Sequence, residues 1–168
     1  APVWANHETT FSAKDLKKLD KQSEVLNAQQ WAAVHKQIDG VDAPKLWLIT
    51  VGLSAESLAF DGDVEGVKRF FKGVDGEVVS LSYSNRLDVK KVRTPLAYPQ
   101  GLTQDLATVS DLVGAKDKVL LLISTHGSVG ELSANIADWY GLMSDDELQA
   151  ALKPLANTPT TLILSACH

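Results

Sequence analysis

The chain has 168 residues, 45% apolar and 22% charged, enough for one domain with a substantial buried core. Its formal charge of −5 leaves no basic surplus to neutralise phosphates, which argues against nucleic acid or an anionic membrane as partner. A single cysteine excludes an internal disulfide and a multi-thiolate zinc site, and no apolar stretch reaches the roughly 20 residues of a membrane span.

Residues 1 to 13 read as an irregular arm anchored by Trp4. From Asp15 to Ile38 the apolar spacing is helical, with Leu16, Leu19, Leu26, Trp31, Val34 and Ile38 as the buried stripe. Gly40 to Pro44 ends that helix, and Leu46 to Val51 predicts a buried strand. After a polar turn, Asp61 or Asp63 is the candidate cap of a helix to about Phe71, with Val64, Val67, Phe70 and Phe71 on its core face. Glu77 to Ser82 predicts a second strand. Tyr83 to Gly101, carrying Pro95 and Pro99, predicts a long loop, and Thr103 the N-cap of a helix to Val113.

Val119 to Ser124 predicts a third strand, and Ser128 to Met143 a hairpin over its end. Ser144-Asp145-Asp146-Glu147 has the form of a capping box opening a helix to about Leu152. Pro154 and Pro159 punctuate the return to a fourth strand, Thr161 to Leu164. The continuous apolar runs predict strands buried in a parallel sheet, and the strand–helix alternation predicts an α/β fold with helices on both faces. The division is an N-terminal arm and helix, 1–44, followed by the sheet domain, 45–168.

Two strings end the last two predicted strands: Ser124-Thr125-His126-Gly127 and Ser165-Ala166-Cys167-His168. Open α/β sheets place their ligands at this carboxyl edge. A thiol and an imidazole delivered there have the makings of a nucleophile with its acid/base. Gly127 allows its amide to approach a developing oxyanion, and the amide of Cys167 is a second donor. The plainer alternative is a buried structural cysteine and a loop histidine.

These strings, with the Leu46 to Val51 strand, the Asp61 to Phe71 helix and the Val78 to Asn85 strand and turn, resemble the caspase–legumain–gingipain group of cysteine peptidases. Within that group the likeness is to bacterial members of the legumain-type family, and it spans Leu46 to His168. The resemblance implies a caspase-like, three-layer α/β/α fold and peptide-bond hydrolysis through a thioester. It implies His126 and Cys167 as the catalytic dyad, Gly127 in the oxyanion site, a polypeptide substrate and no cofactor. Ser165, Phe60 and Asp61 are the candidate substrate-lining residues. Asp138, Trp139 and Tyr140 are further candidates from the overlying hairpin.

The likeness has departures. Ser165 stands where eukaryotic legumains often carry a carboxylate, and Ala59-Phe60 where they carry Arg-His, so strict cleavage after asparagine does not carry over. Thr125 replaces the aspartate associated with their ligase activity. A caspase-like fold continues past its nucleophile with further strands, whereas this sequence runs only to His168. That implies either a truncated sequence or a zymogen that processes itself into two associated chains from one precursor, with His168 on the acyl side of the cut. A non-catalytic interaction domain and a transamidase with the same dyad are the alternative functions. Ala1-Pro2, without methionine, fits a removed export signal and a periplasmic or secreted protein, and fits a cytoplasmic one equally. His7 and His35 lack metal-ligand spacing and read as surface residues.

Overall fold

The computed structural model describes residues 11–88, 91–136 and 141–167. The expectations on Trp4, His7, Asp138, Trp139, Tyr140 and His168 lie outside the described residues.

The first helix, α1 (Ala13–Ile38), begins where Ser12 and Asp15 form a capping box, each side chain accepting the other's backbone N–H at 3.1 Å. Gly40, with φ of 69°, ends it in the left-handed region that favours glycine. Leu19 and Val34 are buried, and Leu16, Leu26, Trp31 and Ile38 pack partly buried beside the core. Then follow β1 (Lys45–Gly52), α2 (Leu58–Phe71), β2 (Glu77–Ser84) and a short hairpin of β3 (Leu87–Asp88) and β4 (Lys91–Val92). Next come α3 (Pro99–Leu112), β5 (Lys118–Ser124), β6 (Gly127–Ser128), β7 (Glu131–Ser133) and β8 (Leu142–Ser144). Last are α4 (Asp145–Leu152), a 3₁₀ turn at Lys153–Leu155, and β9 (Thr160–Ser165).

The central sheet has the order β2-β1-β5-β9, and all three strand pairs are parallel. The chain leaves β1 towards β2 on one side and returns to β5 on the other. The crevice beyond the carboxyl ends of β1 and β5 is therefore the topological switch point. Trp47, Ile49 and Val51 of β1 share one face with Val119, Leu121 and Ile123 of β5 and Val79, Leu81 and Tyr83 of β2. Leu102, Leu106 and Val109 of α3 and Trp31 and Val34 of α1 pack on that face. By alternation, Leu48, Thr50 and Leu122 face the other side, where α2 lies against β1 and β5.

At the opposite end of the sheet, Asp117 clasps β5 to β1. Its carboxylate accepts from Trp47 Nε1 at 2.9 Å and from the backbone N–H groups of Lys45, at 2.9 Å, and Gly114, at 2.8 Å, with Lys45 Nζ at 3.6 Å. Burial pushes this carboxyl up. The hydrogen bonds from Gly114, Trp47 and Lys45, together with the Lys45 charge, outweigh that and hold it below its ordinary value.

The structure corrects five sequence expectations. Ser57 caps α2, accepting from Ala59 N–H at 3.1 Å, so Asp61 and Asp63 lie inside the helix; Phe70 is 68% exposed instead of in the core. Helix α3 starts at Pro99, not after Thr103, because the fixed φ of proline suits the first helical position. The stretch read as a loop contains the β3–β4 hairpin. The fourth strand is parallel as expected but not buried: Leu162, Ile163 and Leu164 are 38%, 44% and 45% exposed. Among the described residues, β9 has a neighbour on one side only. By contrast, the capping box at Ser144 and Glu147 opens α4 as read, and β6, β7 and β8, within the stretch expected to form a hairpin, pair as an antiparallel sheet.

Candidate active site

β5 and β9 end side by side, with Ser124 and Ser165 in register, and Thr125 N–H donates to Ser165 O at 3.0 Å, extending the ladder by one residue. His126 and Cys167 follow. Gly127 lies directly against the second strand end: a Cβ there would stand 2.4 Å from Cys167 O and 3.2 Å from the Ala166 Cβ. Only glycine permits so close a backbone approach. Cys167 is free and exposed, unlike a structural core cysteine. The His126 side chain is 46% exposed, and the Phe60 ring meets its imidazole edge-on at 4.7 Å.

A carboxylate completes the histidine's surroundings. Glu56, in the turn after β1, places Oε2 at 3.3 Å from His126 Nε2. Its Oε1 accepts from Asn135 Nδ2 at 2.6 Å. Asn135 is buried, and its backbone oxygen and side-chain oxygen accept from Ala55 N–H, at 3.0 Å, and Gly141 N–H, at 3.2 Å. The loop carrying His126 is laced to β7 as well, by Thr125 Oγ1 donating to Ser133 O at 2.6 Å and Ser133 N–H donating to His126 O at 2.9 Å. The imidazole thus stands on a fixed support at the switch point.

A second carboxylate lies beneath the two strand ends. Asp63, one helical turn along α2 from Phe60, accepts from Ser124 Oγ at 2.6 Å and from Ser165 Oγ at 3.3 Å through Oδ2. Asp61 is directed elsewhere. It accepts from Ser84 Oγ at 3.0 Å and Arg86 Nη1 at 2.9 Å, and it lines a cleft of about 400 Å³ with Glu65, Asp88 and Arg93.

Of the residues singled out in the sequence, the fold brings His126, Gly127, Cys167, Phe60 and Ser165 to one place, and Asp61 to the neighbouring cleft. Glu56 and Asn135 escaped sequence reasoning, and Asp63 entered it only as a candidate helix cap. Glu56 had a usable signal: a carboxylate in the turn directly after a buried strand sits at the carboxyl edge of the sheet. Asn135 and Asp63 had none, since their partners are distant in the chain.

No protein-family model matches the chain, and no curated protein matches it. Among the described residues, no helix is long and apolar enough to cross a membrane.

Proposed function

We propose that this chain carries the dyad of a cysteine endopeptidase, legumain-type and caspase-like. The observation that carries this reading is the convergence of an exposed free thiol and a carboxylate-held imidazole on adjacent ends of parallel strands, with an obligatory glycine between them.

The chemistry follows from the contact between His126 and Glu56. With the Nε2 edge of His126 facing Glu56, Nδ1 is the nitrogen left to accept the Cys167 proton. The thiolate attacks the scissile carbonyl, and the amides of Gly127 and Cys167 stabilise the oxyanion. The C–N bond breaks as the imidazolium protonates the leaving amine. Water, deprotonated by the same imidazole, then attacks the thioester and releases the carboxylic acid and the free thiol. No step calls for a cofactor. The same reading supplies an occupant for the open edge of β9: a further strand, which would cover Leu162 to Leu164 and complete the substrate cleft.

The test is hydrolysis of a peptide library varied at the residue before the cut, by the full-length protein under reducing conditions, beside Cys167→Ala. Cleavage by the wild type that vanishes in the mutant is the expected result. Equal inertness of the two, with the fold intact, rules the peptidase out. Added amine nucleophiles separate hydrolysis from acyl transfer.

A further inference from the structure

Helix α2 carries three acidic residues at alternate positions, Asp61, Asp63 and Glu65. Two have a cation: Arg86 Nη1 stands 2.9 Å from Asp61, and Lys68 Nζ stands 2.9 Å from Glu65. Asp63 has none among the described residues. Its only hydrogen bonds come from the hydroxyls of Ser124 and Ser165, both to Oδ2, so Oδ1 takes no hydrogen bond from any described residue. An ionised carboxylate has about four acceptor positions, and most of these are open.

The location gives this vacancy a meaning. Ser124 and Ser165 each stand two residues before a member of the dyad, His126 and Cys167. Both serines end their strands, and the two residues that lead on to each member of the dyad span at most about 7 Å. A lysine or arginine side chain spans that distance from a carbonyl held at Cys167, and a short side chain does not.

We infer that Asp63 selects a basic side chain, lysine or arginine, at the residue whose carbonyl Cys167 attacks. The inference rests on the peptidase reading above and names its substrate class. Both serine hydroxyls donate their only proton to Asp63, so what they present outward is acceptor lone pairs. The subsite is a carboxylate flanked by two acceptors. Lysine and arginine are the side chains that carry donors alone, and a charge-assisted bond rewards them. An acidic side chain meets like charge, and an uncharged one leaves the carboxylate unpaired.

The test uses paired peptides identical except for arginine or citrulline at that residue, since citrulline keeps the shape and loses the charge. The full-length protein is expected to favour arginine by about ten- to a hundredfold in kcat/KM. Asp63→Asn is expected to bring that ratio near one while still cleaving the citrulline peptide, and Asp63→Glu to restore part of it. Asp63 is an exposed residue, and thermal melts of each variant verify the fold. An arginine-to-citrulline ratio unchanged by Asp63→Asn, or near one in the wild type, overturns the assignment.

A second arm separates this from failure of the parent reading. Peptidyl acyloxymethyl ketones ending in arginine, alanine or glutamate are reacted with the protein, and the adduct is located by mass. Preferential labelling of Cys167 by the arginine probe is expected. Equal labelling by all three overturns the basic preference and leaves the dyad standing. Absence of both labelling and cleavage overturns the peptidase reading and, with it, the preference.

Discussion

β5 and β9 are composed of much the same residues, Val119-Leu120-Leu121-Leu122-Ile123 and Thr161-Leu162-Ile163-Leu164, and they pair with each other in parallel register. Their surroundings differ. β5 lies between β1 and β9, so Leu121 and Ile123 are fully buried; β9 is an edge, and its apolar side chains remain open to solvent. The loops that follow differ in the same sense. His126 is braced by Glu56, Asn135 and the Thr125–Ser133 bond, whereas the end of β9 leans on Gly127 and on the Ser165 contact with Asp63. The proposed base thus stands on the fixed side of the site and the proposed nucleophile on the open side. Such an arrangement lets a covering strand complete the nucleophile's surroundings without disturbing the base.

The contrast is most directly broken by truncation in the two strands. Leu121→Ala is expected to cost about 2–5 kcal/mol in urea unfolding. Leu164→Ala is expected to cost only about 1 kcal/mol, because much of that side chain is already in water. Equal costs would mean that β9 is covered in solution.

Within the site, Glu56→Gln tests the brace on the histidine. It is expected to lower kcat about a hundredfold with little change in KM, and Glu56→Asp to recover part of the loss. An unchanged kcat would remove Glu56 from its positioning role. Gly127→Ala probes the contact between the two strand ends. A Cβ 2.4 Å from Cys167 O must displace backbone, at an expected cost of about 1–3 kcal/mol. A neutral substitution would show that the end of β9 yields freely.

The smallest expected effect sharpens the contrast from the other end of the sheet, where Asp117 fastens β5 to β1. Its folded carboxyl lies below the ordinary value of 3.8. The unfolded chain therefore binds more protons, and the stabilisation is complete above the unfolded value and lost as pH falls through the lower folded one. Asp117→Asn is expected to cost on the order of 1 kcal/mol at neutral pH. The gap from wild type should close below about pH 4 in urea midpoints measured across the acid range. A gap that stays constant with pH would show that the charge contributes nothing to the clasp.

Much of the fold was legible along the chain because its determinants are local. A buried strand announces itself as a continuous apolar run, and the Ser144–Glu147 box needs only residues three apart. Local rules also produced errors where two of them competed. Pro99 reads as a breaker although proline suits a first helical turn, and Asp61 or Asp63 reads as the cap although Ser57 lies closer to the true start.

The candidate site divides along the same line. His126, Gly127 and Cys167 were visible in the sequence, since each follows a strand that can be recognised by itself. The carboxylates were not. Glu56 reaches His126 from the neighbouring strand's turn, and Asp63 meets Ser124 and Ser165 across two crossovers. The sequence by itself determined which segments become strands and helices and which residues stand at their ends, because those outcomes depend on periodicity and hydrogen bonds within a few residues. Only the tertiary structure decided which strand is interior and which is edge, and which carboxylate serves which partner. Those follow from the order in which strands pair, a relation between distant segments that no local run of residues contains.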